Sequence, residues 1–381
     1  MVAIVLITAA FIILLSVFNG FEGLVKSLYS TFYTDFKISP KDGKTLVVSK
    51  EQLSQLRGLK NIKGWSLEVE EKTLLQNGEI QTIVYLKGVD SGYTTITSVA
   101  EKLIRGKFEL GTADKALIVL GSGIENALAV QSDRSVYPLT AYLFKRGVNI
   151  NAIDPYQAFS AENISTSGTF FIQQDIDNQY AITNTGFMKK MLGMKPDEYG
   201  AIEIGLKNPN DIRATKKEIE KIFSGNYLVE SRFEQNKSLY SVMTLEKWAI
   251  YSILTLMLIV AAFTMIGALT MLVLEKQKDI QILKALGADN SRIRTIFLTE
   301  GILLAGIGSF SGILLAILVA WAQEKFKLVK IEGGTFLIDH YPIELRAGDF
   351  VLVLATVMFI AFLASWFPAR NAALQPFELK T

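Results

Sequence analysis

Four long stretches of the sequence carry no charged residue and no histidine, and this feature constrains the fold more than any other. They are Met1–Phe21, Trp248–Leu274, Gly301–Gln323 and Phe350–Ala369. A helix needs about 20 apolar residues to cross a bilayer, so we predict four transmembrane α-helices. Met1–Phe21 has no basic segment before its apolar core and no small-x-small cleavage pattern after it. We therefore expect a spanning helix there rather than a cleaved signal peptide.

The connections between these stretches are unequal, and their charges orient the chain. Residues 22–247 separate the first two spans, which is enough for a large domain on one side of the membrane. The short connection 275–298 has an excess of Lys and Arg, whereas basic and acidic residues balance in 324–349. Cytoplasmic loops are enriched in Lys and Arg. We therefore place 275–298 and both termini in the cytoplasm and the large domain outside.

Two strand pairs are predicted in the large domain. Lys72–Gln76 and Glu79–Lys87 flank Asn77-Gly78, the dipeptide that best suits a two-residue hairpin turn. A second hairpin is expected where Thr169–Ile172 and Tyr180–Thr183 flank a turn-prone segment. Helices are indicated at Lys50–Arg57 and Asp211–Phe223, each closed by a glycine. Strands that alternate with helices indicate α+β layers.

Several classes of site find no support in the sequence. The chain has no cysteine and one histidine, so thiol chemistry is unavailable and so are most of the common nucleophile–base pairs. The single histidine, His340, is interpreted as a surface loop residue. Gly121-Ser122-Gly123 resembles part of a dinucleotide loop but is better explained as a tight turn, and no G-x-x-x-x-G-K-[ST] phosphate loop occurs. The net charge of +2 gives no basic surface for nucleic acid.

The connection between the second and third spans has a helical pattern of its own. The segment EKQKDIQILKALGADNSRIRTIF, Glu275–Phe297, repeats apolar residues at three- and four-residue spacing, with lysines largely on the other side. Two interpretations stay open. The helix could lie on the lipid headgroups, or its apolar ridge could enter a groove on a cytosolic partner and couple that partner's motion to the flanking spans.

The third span carries small residues on one face. Gly308, Gly312, Ala316 and Ala320 recur every fourth residue, a spacing that lets helix backbones approach closely. This face could contact a helix of a partner subunit or pack within the chain's own bundle, and the pattern does not distinguish the two.

The segment EKQKDIQILKALGADNSRI resembles the cytosolic coupling segment of the FtsX/MacB-like ABC permeases, and most closely that of the lipoprotein-releasing (LolC/LolE type) subunits. Five further segments resemble that family in order along nearly the whole chain: Ser16–Glu22, Gly168–Asn184, Leu245–Leu254, His340–Asp349 and Phe367–Leu379.

The resemblance implies a membrane protein with four transmembrane α-helices and a large α+β extracytoplasmic (MacB-like periplasmic) domain between the first and second. The implied organisation is transmembrane helix 1 at 1–21, periplasmic domain at 22–245, transmembrane helix 2 at 246–274, coupling helix at 275–298, transmembrane helix 3 at 299–323, periplasmic loop at 324–349, transmembrane helix 4 at 350–369 and cytosolic tail at 370–381.

The function implied by the resemblance is mechanical rather than enzymatic. The chain would be an inner-membrane permease subunit that extracts lipoproteins and hands them to a periplasmic carrier, driven by a separate cytosolic ABC ATPase. A second permease subunit would complete a homo- or heterodimer, and membrane lipid would surround it. No cofactor, metal or nucleic acid is implied. The resemblance leaves open whether the chain takes the LolC role, the LolE role or both.

The candidate site residues fall into four groups, of which three follow from the resemblance and one, helix packing, follows from the spacing of small residues in the third span. The group expected to contact the ATPase is Lys276, Asp279, Ile280, Ile282, Leu283, Lys284, Leu286 and Gly287. Helix packing is assigned to Gly308, Gly312 and Ala316. Contact with the acyl chains of the lipoprotein is assigned to Phe11, Leu15, Phe18, Leu256, Ile259 and Phe263. Docking of the carrier is assigned to Phe144, Pro155, Tyr156 and Phe159.

Two alternative functions are consistent with the same architecture. One is an efflux or peptide-export permease of the MacB type that works with an outer-membrane duct. The other is an FtsX-like scaffold that activates a periplasmic hydrolase, against which the length of the outer domain weighs. Genomic context would discriminate between them, since each needs a different partner.

Overall fold

The computed structural model describes residues 2–134, 137–146, 159–223, 225–330 and 340–375. Among these residues two compact units are present. The first, called the membrane unit, comprises residues 2–25, 238–330 and 340–375; the second, called the large domain, comprises described residues within 26–237.

Four helices of the described chain are long and apolar enough to cross a membrane. They are α1 (Val2–Phe32), α9 (Lys237–Glu275), α11 (Asn290–Phe326) and α12 (Ala347–Ala373), and the short α10 (Gln277–Ala285) connects α9 to α11. These helices confirm the four-span fold class. At 1.5 Å per residue the 39 residues of α9 extend for about 58 Å. That length is about twice the thickness of the hydrocarbon core. The helix begins before the apolar run Trp248–Leu274 from which it was predicted.

The membrane unit is held together by apolar side chains of all four long helices. Phe11, Ile12 and Leu15 of α1 are almost fully buried and belong to the same core cluster as Leu258 of α9 and Val357 of α12. Because lipid is as apolar as these side chains, close packing rather than water exclusion must favour this arrangement.

The large domain is built on one mixed sheet. Its helices are α2 (Lys50–Gly58), α3 (Tyr93–Ile96), α4 (Ser122–Ala127), α5 (Gln174–Asp177), α6 (Thr185–Leu192), α7 (Ile212–Ile222) and α8 (Arg232–Gln235). Its strands are β1 (Phe36–Pro40), β2 (Leu46–Val47), β3 (Ile62–Asn77), β4 (Ile80–Val89), β5 (Leu103–Gly106), β6 (Leu117–Gly121), β7 (Leu139–Phe144), β8 (Phe159–Phe170), β9 (Tyr180–Asn184), β10 (Glu198–Tyr199), β11 (Ala201–Leu206) and β12 (Tyr227–Ser231).

The strand order explains how the two ends of the large domain meet. The sheet runs β12-β1-β11-β3-β4-β9-β6-β8-β5, with β7 paired to β3 and β8, while β2 and β10 form a separate pair. Strand β1 follows α1 along the chain and β12 precedes α8 and α9. These two strands are antiparallel neighbours, with Phe36 opposite Ser231. The polypeptide therefore enters and leaves the domain at one edge of the sheet.

The first predicted hairpin is confirmed. Strands β3 and β4 pair antiparallel, from Val69 opposite Gly88 to Asn77 opposite Ile80. Gly78 in the turn has φ +58°, a conformation that glycine adopts without the steric penalty of a side chain.

The second predicted hairpin is wrong. Strands β8 and β9 do not pair with each other, because β6 lies between them and pairs parallel with β8 and antiparallel with β9. The turn-prone segment between them forms the short helix α5 instead of a hairpin turn. Helices α2 and α7 occur where Lys50–Arg57 and Asp211–Phe223 were predicted, which confirms the α+β class.

Candidate functional site

The candidate coupling segment consists of two helices separated by a glycine turn. Gly287 follows α10 with φ +90°, and the backbone N–H of Ala288 donates to the carbonyl of Leu283. This left-handed ending satisfies carbonyls at the end of the helix. Asp289 then caps the N-terminus of α11, since its side chain accepts a hydrogen bond of 3.0 Å from the N–H of Arg292.

The apolar residues of α10 point in two directions. Ile280 is only 2% exposed and packs with Ile293 and Phe297 of α11 and with Ala369, Ala372 and Ala373 of α12. Ile282, Leu283 and Leu286 are 58%, 37% and 79% exposed. We call these three residues the coupling ridge. Because Ile280 anchors the helix to its own bundle, the ridge provides the large apolar side chains of this segment that another protein can reach in this structure.

The charged residues of α10 also differ in their surroundings. Lys276 and Asp279 form an exposed ion pair of 3.0 Å at the start of the helix. The ammonium group of Lys284 instead donates to two backbone carbonyls, those of Ala373 at 3.0 Å and Gln375 at 2.6 Å. Lys284 is therefore engaged within the chain, whereas Lys276 and Asp279 face solvent.

The small-residue face of α11 packs inside the chain. A Cβ added to Gly312 would lie 2.7 Å from the carbonyl oxygen of Val5 and 2.8 Å from Cβ of Thr8 in α1. Gly308 is buried, and Ala316 belongs to the same core cluster as the apolar residues of α1. Of the two interpretations left open by the sequence, packing within the bundle accounts for this face.

The residues expected to contact acyl chains divide between the core and the surface. Phe11 and Leu15 are 0% and 1% exposed, and the Phe11 ring lies edge-on to Tyr251 of α9 at 5.3 Å. These two side chains fill the interior of the bundle, so they do not face lipid in this structure. Phe18 is half-buried.

The other three acyl-contact candidates lie on the outside of α9. Leu256, Ile259 and Phe263 are 62%, 41% and 68% exposed. Ile259 and Phe263 line an apolar groove between α9 and α12 with a volume of about 470 Å³, whose opposite wall includes Phe359 and Leu363. An acyl chain is a chemically suitable occupant of such a groove, and so is membrane lipid.

The residues expected to dock a carrier lie at the ends of β7 and β8. Phe144 and Phe159 are opposite each other in the β7–β8 ladder, with ring centroids 4.0 Å apart, and both are exposed. They line a cavity of about 1210 Å³ with Leu74, Ile83, Tyr142, Lys145 and Arg146. Pro155 and Tyr156 lie outside the described residues.

The glycines of the predicted tight turn serve close packing rather than phosphate binding. A Cβ on Gly121 would lie 2.2 Å from the carbonyl oxygen of Asp177, and one on Gly123 would lie 1.8 Å from Oδ1 of Asn178. The turn that opens α4 is thus filled by the chain at α5. Among the described residues no group of His, Cys, Asp and Glu could hold a metal ion.

A buried charge network in the large domain was not predicted from the sequence. Four adjacent strands each contribute one residue: Lys37 from β1, Glu203 from β11, Glu68 from β3 and Lys87 from β4. Lys87 lies 2.7 Å from Glu203 and 3.0 Å from Glu68, and Lys37 lies 2.5 Å from Glu68. The aromatic rings of Phe32 and Tyr93 lie 4.9 Å and 5.4 Å from the Lys87 ammonium.

Burial and neighbouring charges separate the pKa values of the two carboxylates. Burial, together with the charge of Glu68, raises the pKa of Glu203 to about 7. Burial acts in the same direction on Glu68, but Lys37 and Lys87 outweigh it and lower the pKa of Glu68 to about 2. Burial opposes the charge of Lys87, and Glu203 and Glu68 nevertheless raise the pKa of that lysine.

Comparison with known proteins finds a family model that matches the C-terminal part of this chain and relatives that match nearly all of it. Residues 251–376 match the model of the FtsX-like permease C-terminal family. The chain is 26% identical over 384 residues to the lipoprotein-releasing system transmembrane protein LolC of Neisseria meningitidis, covering 97% of this chain and 90% of that protein. It is 25% identical over 397 residues to LolE of Haemophilus influenzae, covering 99% and 92%.

Two solved structures similar to this chain are domains of transporters. The periplasmic region of MacB from Actinobacillus actinomycetemcomitans covers 57% of this chain with 11% identity and a TM-score of 0.37. The extracellular domain of the transporter YknZ covers 51% with the same identity and TM-score. At this TM-score the two likenesses carry no inference.

The similarity to transmembrane relatives over nearly the whole chain agrees with the four long apolar helices. The chain therefore has the helices of a multi-pass membrane protein.

Proposed function

We propose that this chain, an ABC transporter permease subunit similar to LolC and LolE, extracts lipoproteins from the inner membrane and passes them to a periplasmic carrier. A separate cytosolic ATPase supplies the energy, and a second permease subunit completes the transporter. The observation that carries the proposal is the coverage of more than nine-tenths of the chain by both relatives, with the large domain included.

The coupling ridge supports the role of the ATPase. Ile282, Leu283 and Leu286 expose apolar area at the connection between two spans, while Ile280 fixes the same helix to α11 and α12. An apolar helix face of this kind binds into a groove of another protein. The sequence has no phosphate loop of its own, so ATP hydrolysis is assigned to the partner.

The apolar groove between α9 and α12 supports the assignment of an acylated cargo. The spans contain no charged residue that would mark an ion or proton path. The groove lined by Ile259 and Phe263 is apolar, and acyl chains lose no hydrogen bond when they enter it. We therefore assign Leu256, Ile259 and Phe263 to acyl contact and retain Phe144 and Phe159 as candidates for carrier contact.

Coupling is tested by substitution on the ridge. Leu286→Asp or Leu283→Asp places a charge on the apolar face, and we expect co-purification with the ATPase to fall by about tenfold or more, since burying one leucine contributes about 1.5–3 kcal/mol. Leu328→Asp, at a leucine after α11 that is 68% exposed, is the control and should co-purify normally. Equal recovery of all three variants would contradict the coupling role.

Cargo and carrier are tested by depletion and capture. Depletion of the protein should leave lipoproteins in the inner membrane, as measured by membrane fractionation. A normal distribution of lipoproteins would remove the proposed function. Capture of an outer-membrane duct would favour an efflux permease, and capture of a cell-wall hydrolase would favour an FtsX-like scaffold.

A further inference from the structure

Lys284 is the one lysine of α10 whose ammonium group is held by backbone carbonyls in the described part of the chain. It donates to the carbonyl oxygens of Ala373 at 3.0 Å and of Gln375 at 2.6 Å. Ala373 is the last residue of α12 and Gln375 lies two residues further on. A side chain of the connecting helix thus binds the end of a helix that follows it by more than 60 residues of chain.

The carbonyls at the end of α12 are the groups that a helix leaves without an internal partner. The last four carbonyls of any helix need water, a cap or a side chain, and the helix dipole favours a cation there. Lys284 supplies both a donor and a positive charge. Hydrogen bonds with a charged donor are stronger than those between neutral groups. The contact of Lys284 therefore stabilises the association of α10 with α12.

Apolar packing beside the lysine acts in the same direction. Ile280, one turn before Lys284, is buried against Ala369, Ala372 and Ala373 of α12 and against Ile293 and Phe297 of α11. The face of α10 that carries Ile280 and Lys284 therefore faces the bundle, while the coupling ridge faces away from it. The connecting helix has one side for its own bundle and another for a partner.

We propose that Lys284 is a positioning residue that fastens the connecting helix α10 to the C-terminal end of α12. This inference rests on the proposed function in one respect: the force on the coupling ridge comes from the ATPase. Without the hydrogen bonds of Lys284, a push on α10 reaches α12 only through the apolar packing of Ile280. With them, the same push also moves α12 through Lys284.

The fastening itself is tested without any transport measurement. The 381-residue sequence has no cysteine, so a spin-label pair introduced at Ala285→Cys and Leu374→Cys, both exposed positions, is the only labelled pair within it. We expect a single narrow distance distribution by pulsed electron paramagnetic resonance. Lys284→Met should broaden or shift this distribution. Lys278→Met, which removes an exposed lysine from the same helix, should leave it unchanged.

The functional consequence is tested in the complete transporter with its ATPase. Lys284→Met should retain association with the ATPase within about twofold and lower lipoprotein release by about tenfold, a change equivalent to about 1.4 kcal/mol. Lys284→Arg keeps a cationic donor and should restore both release and the narrow distance distribution. Lys278→Met should release cargo at the rate of the unsubstituted protein.

Each outcome decides a separate point. An unchanged distance distribution in Lys284→Met would overturn the fastening, whatever the transport result. Loss of ATPase association in Lys284→Met equal to that in Leu286→Asp would make Lys284 a contact residue and also overturn it. If Leu286→Asp itself leaves association intact, the proposed coupling function fails, while the distance measurement still decides the fastening.

Discussion

The guanidinium of Arg232 donates a hydrogen bond of 2.9 Å to the carboxylate of Asp35, and so joins the segment after α1 to the segment before α9. The second Asp35 oxygen accepts from the N–H of Leu206 at 2.7 Å, and Arg232 also donates to the carbonyl of Tyr33 at 2.9 Å. The pair therefore closes the edge of the sheet at which the chain enters and leaves the large domain.

Asp35→Ala should destabilise the large domain. The substitution leaves the buried N–H of Leu206 without its side-chain acceptor and removes the charged partner of the Arg232 guanidinium, which keeps only the Tyr33 carbonyl. We expect a loss of about 2–3 kcal/mol in the free energy of unfolding. Urea unfolding of the detergent-solubilised protein, followed by near-ultraviolet circular dichroism, measures this loss. Lys107→Ala, which removes an exposed ion pair of 4.0 Å with Glu109, is the control and should change little.

Glu203 should make the stability of the large domain depend on pH near neutrality. Its pKa is raised to about 7 in the folded protein from an ordinary value of 4.5, so the folded state binds more protons between these limits. Stability should therefore fall as pH rises through this window, by at most about 1.4 kcal/mol per pH unit for one group. Asp177, whose pKa burial raises to about 6, adds a slope of the same sign.

Glu203→Gln removes one of the two carboxyl groups, Glu203 and Asp177, whose protonation makes stability depend on pH. Melting temperatures measured at pH 5, 6, 7 and 8 should vary less steeply in this variant than in the unsubstituted protein. Glu109→Gln, at a carboxylate that is 60% exposed, should keep the original slope. The attribution to Glu203 would be refuted by parallel pH profiles for the Glu203→Gln variant and the unsubstituted protein.

Gly312 should tolerate no larger residue, because its missing side chain makes room for α1. Gly312→Val would direct new atoms at the Val5 carbonyl and the Thr8 side chain, both already within 2.8 Å of the first added carbon. We expect a loss of about 1–3 kcal/mol, as for other overpacked sites, and a lower melting temperature in detergent. Gly306→Val is a matched control on α11, since a Cβ there meets nothing within 4 Å. Similar melting temperatures for the two variants would contradict this packing.

Asn19 should couple three helices of the membrane unit. Its side-chain amide donates to the carboxylate of Asp349 at the start of α12, and its oxygen accepts a hydrogen bond of 2.9 Å from Lys247 of α9. Asn19 is fully buried, so Asn19→Leu should lower stability by about 1–3 kcal/mol.

A double-mutant cycle with Asp349→Asn separates this coupling from the loss of each group alone. Melting temperatures of the two single variants and the double variant give the interaction free energy, which we expect to be about 0.5–3 kcal/mol. Strictly additive effects would show that the two side chains do not depend on each other.

Local patterns in the sequence account for the elements that were predicted correctly. Asn77-Gly78 specifies its own turn, and the four spans need only length and the absence of charge. The pairing of β8 and β9 could not be predicted in the same way. Strand β6, which lies between them, comes from more than 30 residues upstream. No residue within 169–183 indicates that another strand separates the two.

The candidate site shows the same division between local and distant information. Helical spacing predicted an apolar ridge on α10, and Ile282, Leu283 and Leu286 are exposed as a partner surface requires. The spacing did not show that Ile280 and Lys284 turn toward α12, because the end of that helix lies some 90 residues downstream. In the large domain, Glu203 stands between isoleucines in a fully buried strand, and that interruption is the signal that could have revealed the charge network.

The pairing of β1 with β12 has a consequence for how such a domain can be exchanged. Phe36 and Ser231 are cross-strand partners, so the two ends of the domain are separated by only about 5 Å of sheet. A module whose ends coincide in this way can be cut out, and a relative's module grafted in its place, without altering the spacing of the two polypeptide segments that receive it.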